Sequence, residues 1–161
     1  MSEAPRRRIV IVALGNPLRG DDGAGPEVLR GLAAERDWPA DVALIDGGTA
    51  GLETSLSLSG YERAILIDAG ELRLPPGSWR RLDARQVILQ GKDGPTLTLH
   101  QAGLAEALQL GEALGILPAE IILYVIQPEN IGWEQGLSEP VQAAVAAVRA
   151  AVVDEILASE D

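Results

Sequence analysis

Short, wholly apolar runs alternate along this chain with longer stretches of helical periodicity, the pattern of βαβ units wound around a largely parallel sheet. Ile9 to Leu14 contains no polar side chain, as expected of a strand whose sheet is covered on both faces. After a glycine-rich loop, Pro26 falls in the first turn of a helix, where its missing N–H costs nothing. Leu29, Leu32 and Ala33 then form an apolar stripe up to about Arg36, and Trp38-Pro39 closes the helix. A second strand, Val42 to Ile45, runs out into Asp46-Gly47-Gly48. A short helix from about Gly51 to Ser59 leads to a third strand, Ala64 to Ile67, which ends at Asp68.

Beyond that point the pattern changes. Leu74-Pro75-Pro76-Gly77 is a turn, and Ser78 to Leu82 alternates as an edge strand does. The connection is too short to hold a crossover helix, so this strand is expected to run antiparallel to the third. Ala84 to Leu99, with Gly91, Gly94 and Pro95, reads as loop. A third helix is expected to begin near His100 or Gln101 and to align Leu104, Leu108 and Leu114. A fifth strand, Ile121 to Ile126, is followed by the loop Gln127 to Gly136. The last helix starts near Ser138-Glu139-Pro140, and Val141, Val145, Val148 and Val152 recur along it at spacings of four, three and four, a core-facing stripe. No repeat, low-complexity tract or linker interrupts the series. The expectation is one domain over residues 1–161: a three-layer α/β/α sandwich around a mostly parallel five-stranded sheet with one antiparallel edge strand. A chain of this length buries roughly 70% of its unfolded surface and needs no staple.

The inventory of reactive side chains is narrow. With no Cys there is no disulfide framework, thiolate metal site or cysteine nucleophile. His100 is the only histidine, so a multi-histidine zinc site is excluded and any imidazole chemistry falls to one ring. Carboxylates are left to dominate. The formal net charge of −11 argues against nucleic acid as a partner, because that surface needs clustered Lys and Arg. Ala4-Pro5-Arg6-Arg7-Arg8 and the apolar run after it imitate a signal peptide, but the run is short, no A-x-A-like site follows, and Asp21-Asp22 comes soon after. No stretch approaches the 18 or so apolar residues of a spanning helix. The expectation is a cytoplasmic protein with no membrane partner.

In open α/β sheets, ligands bind outside the carboxyl ends of the strands. Asp21 and Asp22 follow the first strand, Asp46 ends the second, Asp68 the third, and Gln127 follows the fifth, so all fall on one edge. His100, in the connection leading towards the fifth strand, is positioned to reach the same rim. The loop Gly15 to Gly25 is not a nucleotide loop. Pro17 stands where a dinucleotide fingerprint needs its second Gly, and Asp21-Asp22 replace the Lys-Ser/Thr that would meet phosphate and magnesium. Two negative charges there repel phosphate and suit a cation. Each residue also has a plainer role open to it. Asp21 or Asp22 caps a helix, Asp68 starts a loop, His100 opens a helix, and Asp46-Gly47-Gly48-Thr49 forms a turn with a cap at Thr49.

Five motifs then stand in order between Ile9 and about Leu157. They are Gly15-Asn16-Pro17-Leu18 through Asp21-Asp22-Gly23-Ala24-Gly25, Ile45-Asp46-Gly47-Gly48-Thr49, Ile67-Asp68-Ala69, His100-Gln101-Ala102-Gly103-Leu104 and Ile126-Gln127-Pro128. Together they resemble the hydrogenase maturation endopeptidases, which clip the C-terminal extension from the precursor of the nickel–iron hydrogenase large subunit once nickel has been inserted. The resemblance implies that Asp22, Asp68 and His100 are both the metal ligands and the catalytic residues. Many members carry Glu at the first of these positions, and the Asp here has a shorter reach. It implies further that nickel arrives with the precursor, which is the partner, and that the enzyme works through carboxylates as a monomer. Imidazole plus carboxylates suits a divalent first-row metal and leaves coordination positions open. Gly47, Gly48 and Thr49 are the expected substrate-binding segment, admitting an extended tail by close backbone approach. The alternative is a non-catalytic maturation chaperone that binds the same nickel-loaded precursor without cutting it.

Overall fold

Every residue of β1 (Ile9–Leu14) is buried, because it pairs in parallel with β2 (Val42–Gly48) on one side and β3 (Arg63–Ala69) on the other. The computed structural model describes residues 7–90 and 102–159. In it, β3 pairs in parallel with β5 (Glu120–Ile126), which carries β4 (Trp79–Asp83) antiparallel at the far edge, so the order is β2-β1-β3-β5-β4. Helices α1 (Ala24–Glu35) and α4 (Glu139–Ala158) cover one face, and α2 (Leu52–Leu58) and α3 (Ala102–Leu114) cover the other. The three-layer sandwich with one antiparallel edge strand is therefore the observed architecture.

The handedness of crossovers explains which helix lies where. The chain moves from β1 to β2 in one direction, then from β2 past β1 to β3 and on to β5 in the other. Right-handed connections then put α1 on one face and α2 and α3 on the opposite one. The direction reverses at β1, so the carboxyl ends of β1 and β3 flank a topological switch point, where such sheets open a crevice.

Several local expectations are corrected. The fourth strand does run opposite to β3 but is hydrogen-bonded to β5, which takes β3's open side. The apolar β5 suits an interior position buried on both faces, whereas Arg80 and Arg81 suit an edge. Strands β2 and β3 extend further than their apolar runs, so Asp46 and Asp68 lie inside strands, Asp68 in register with Val125. On α1 the core stripe is Ala24, Gly25, Val28 and Leu32, leaving Ala33 in solvent, and Leu114 on α3 is exposed as well. In the segment expected to be loop, Arg85–Leu89 forms a π-helical turn. Asp83 Oδ1 accepts from the N–H groups of Arg85 (3.0 Å) and Gln86 (3.2 Å), and Arg85 donates to the Pro118 carbonyl and to Glu112. The valine stripe of α4 is buried as expected. Among the described residues no helix is long and apolar enough to cross a membrane.

Candidate active site

The amino end of α1 is seated directly on the switch point. A Cβ added to Gly25 would stand 2.5 Å from the Leu14 carbonyl oxygen and 2.6 Å from that of Ile67, at the carboxyl ends of β1 and β3. Only a glycine lets the helix approach both main chains so closely. The preceding turn, Gly20–Gly23, thereby brings Asp22 over the mouth of the sheet beside Asp68.

The loop before α1 is tied to itself and to its neighbour. The Gly15 N–H donates to the Gly48 carbonyl (2.8 Å), Arg19 N–H to the Asn16 carbonyl (3.0 Å) and Asp22 N–H to the Arg19 carbonyl (3.1 Å). The Asn16 N–H donates to Asp22 Oδ2 at 2.8 Å and orients that carboxylate. Asp68 is buried at the end of β3. Burial pushes its carboxyl well above the usual carboxylate range, and the neighbouring charge of Asp22 pushes it further, against one backbone hydrogen bond from Ala69. Two carboxylates in one dry crevice cannot both ionise cheaply. The pair is a store for a proton or a seat for a cation.

Asp21 has a different task. It is wholly buried and accepts from the N–H groups of Glu129 (2.8 Å), Asn130 (3.1 Å) and Ser138 (2.7 Å) and from the Ser138 hydroxyl (2.8 Å). Burial raises its pKa, but these four donors outweigh burial and hold it below the usual value. Adjacent aspartates thus divide the work: Asp21 fastens the loop after β5, and Asp22 faces Asp68. Neither caps α1, whose N-cap is Gly23.

The other candidates separate as well. Asp46 is exposed and its Oδ1 accepts from the Gly48 N–H (3.1 Å), forming a turn. Gly47 is small because a Cβ would meet Val12 Cγ1 at 2.7 Å, whereas Gly48 has a φ of +60° and open space where a side chain would go. Thr49 is exposed and is not a cap; the N-cap of α2 is Gly51, whose N–H donates to Thr54 Oγ1 (3.1 Å). Gln127 is turned to structure: its Oε1 accepts from Leu72 N–H (2.6 Å) and its Nε2 donates to Glu71 (3.0 Å). His100 lies outside the described residues, as does the expected start of the third helix. Among the described residues no three His, Cys, Asp or Glu side chains gather to hold a metal ion, so the described part of the expected trio is the Asp22–Asp68 pair. Two buried carboxylates, both oxygen donors, fit a divalent cation.

Two features escaped the sequence reading. Gly25 carries no chemistry, and only the close packing of the folded chain reveals its role. Arg19 lies with its guanidinium 4.9 Å from the ring of Trp133, which is exposed, so a cation and an aromatic surface flank the same rim. Sequence separation hides that pair.

Comparison with known proteins gives one consistent result. The family model described as hydrogenase maturation protease matches residues 26–155, a span that contains Asp68 and His100 and begins after Asp22. The hydrogenase expression/formation protein HoxM of Cupriavidus necator is 30% identical over 123 residues, which cover 76% of this chain. The match spans 60% of the length of that relative. Coenzyme F420 hydrogenase subunit delta of Methanothermobacter thermautotrophicus is 30% identical over 154 residues, covering 92% of this chain and 94% of its own. The solved structure of the hydrogenase maturating endopeptidase HybD from E. coli superposes with a TM-score of 0.83 at 27% identity, covering 94% of this chain and 93% of that one.

Proposed function

This chain belongs to the hydrogenase maturation protease family, and from that premise we propose that it is an endopeptidase. Its substrate is the nickel-loaded precursor of the nickel–iron hydrogenase large subunit, from which it removes the C-terminal extension as a cytoplasmic monomer. The observation that carries the reading is Asp68, a buried carboxyl whose pKa is raised by burial and by the charge of Asp22, at the switch point of the family's fold.

Asp22, Asp68 and His100 meet the nickel that the precursor brings. His100 stands three positions before Gly103 in the sequence. A Cβ on Gly103 would lie 2.9 Å from the Ala50 carbonyl oxygen, so the start of α3 packs beside the Gly47-Gly48-Thr49 rim, which supports the inclusion of His100. The nickel held by these side chains would supply Lewis-acid polarisation of a carbonyl. One carboxylate of the pair accepts the proton of an attacking water, and that proton passes to the amide nitrogen as it leaves. Gly48, with no side chain in the open space above it, lets the substrate main chain approach the rim at Thr49.

The test is incubation of the purified protein with the precursor in nickel-loaded and nickel-free forms, read by mass spectrometry of the C-terminal tail. Loss of the tail from the loaded form alone is the expected result. Stable binding without shortening overturns the protease in favour of a chaperone, and cleavage of both forms overturns the dependence on nickel.

A further inference from the structure

We propose, building on the maturation-protease reading, that the free edge of β2 receives an extended stretch of the precursor as an added strand and so leads the scissile bond to Asp22 and Asp68. Among the described residues β2 is the terminal strand of the sheet, paired with β1 alone. The direction of its backbone groups follows from its ends. The Asp41 carbonyl accepts from the Ile9 N–H (3.1 Å) and so faces β1, and by alternation Ala43 and Ile45 face β1 too. Val42, Leu44 and Asp46 face outwards. The Val42 N–H donates to the Pro39 carbonyl (3.0 Å), but among the described residues nothing is bonded to the outward N–H and C=O groups of Leu44 and Asp46.

Natural sheets protect such edges with Lys, Arg, Pro or a covering segment. The opposite edge follows the rule, with Arg80 and Arg81 in β4. Strand β2 reads Val-Ala-Leu-Ile-Asp-Gly-Gly, with no basic residue and no proline. Beside it runs a groove of about 540 Å³ between β2 and α1, lined by Pro17, Gly23, Pro26, Leu29, Leu44 and Asp46 among others. Its upper end is continuous with the acid pair: Gly23 follows Asp22, and Pro17 follows Asn16, whose N–H holds the Asp22 carboxylate.

Unpaired ladder groups are satisfied by extended main chain, not by a helix or a preformed surface. Successive side chains of an added strand point alternately, so every second one enters the groove. The occupant that fits is therefore the stretch of the precursor leading into its cleavage junction, bound through its backbone.

The experiment uses a synthetic peptide spanning that junction, titrated onto the Asp68→Asn protein so that binding is read without cleavage. Each residue of the peptide is N-methylated in turn. Affinity is expected to fall about five- to tenfold at every second position and to stay level at those between, the loss of one hydrogen bond each time. An effect without that alternation, or no binding of the peptide, overturns the proposal. In parallel, Leu44→Pro removes an outward N–H and leaves the β1 ladder in place, so KM for the precursor should rise by a similar factor at unchanged kcat. If that variant does not fold, the peptide scan decides alone. A wild-type dimer in sedimentation that Leu44→Pro dissolves would assign the edge to a second copy and overturn the proposal. Wild-type cleavage with a flat scan refutes the edge and spares the protease; an alternating scan with an uncut precursor does the reverse.

Discussion

The carboxylate of Asp21 accepts both the N–H and the hydroxyl of Ser138, at 2.7 and 2.8 Å, across 117 positions of sequence. This junction joins the loop after β1 to the start of α4, and its loss is measurable. Asp21→Ala leaves buried donors unanswered and is expected to cost about 3 kcal/mol, a fall in Tm of roughly 6–12 °C. The same contact sets a pH dependence. The folded Asp21 carboxyl is held below its usual value, so its contribution is present above the unfolded pKa of about 3.9 and is lost as pH falls through the folded value. Thermal melts from pH 6 downwards should decline more steeply for the wild type than for Asp21→Asn.

Asp68 behaves in the opposite sense. Its buried carboxyl is at odds with Asp22, so Asp68→Asn relieves the fold of a charge it accommodates poorly. Tm should hold or rise while shortening of the precursor falls by about a hundredfold or more. His100→Ala should abolish shortening to the same degree, since no second imidazole exists to replace it. A marked fall in Tm for Asp68→Asn would mark that residue as structural.

Gly25→Ala tests the seat of α1. Its new methyl group meets two carbonyl oxygens that cannot move aside, and the expected cost is about 2–3 kcal/mol, with slower processing. Gly31→Ala on the same helix is the contrast. There the nearest atoms belong to the flexible Arg149 side chain, so stability should rise by about 0.5–1 kcal/mol from helix propensity. Chemical denaturation of the two variants separates these outcomes.

Arg63 at the amino end of β3, Arg81 of β4 and the Tyr124 hydroxyl of β5 converge on Glu155 of α4. Burial raises the pKa of Glu155, but its hydrogen bonds to Arg81 and Tyr124 and the charges of Arg81 and Arg63 bring it below the usual value. Glu155→Gln should lower the denaturant midpoint by the equivalent of about 2 kcal/mol. Tyr124 and Glu155 belong to the face covered by α1 and α4, whereas Asp68 alternates with Ile67 and so points to the opposite face of the sheet. The rate of processing by the folded variant should therefore be unchanged.

Hydrophobic pattern announced the layers because it records burial directly: Ile9 to Leu14 and the valines of α4 lie where their spacing puts them. Strand order was less legible. Nothing local in Trp79–Asp83 says whether its partner is β3 or β5, and that choice is made when β5 takes β3's remaining edge. The rim was visible as a set of polar residues after apolar strands, yet their roles were not. Asp21 and Asp22 are chemically identical neighbours, told apart only by what the fold brings to each: Ser138 to one and Asp68 to the other. The π-helical turn at Arg85–Leu89 is held by Pro118 and Glu112, nearly thirty or more residues away, and so has no local signature.

The seat of Gly25 on the Leu14 and Ile67 carbonyls makes the separation of the two acids a main-chain dimension. One helix end clamps both strands, and side chains elsewhere in the helical layers have little leverage over that spacing. Such an arrangement lets most of the surface drift while the spacing of Asp22 and Asp68 stays in gauge. The E. coli HybD structure, 27% identical at a TM-score of 0.83, has the degree of divergence that this permits. On the proposed reading, the choice of client is then free to change along the rim and the groove without retuning the pair.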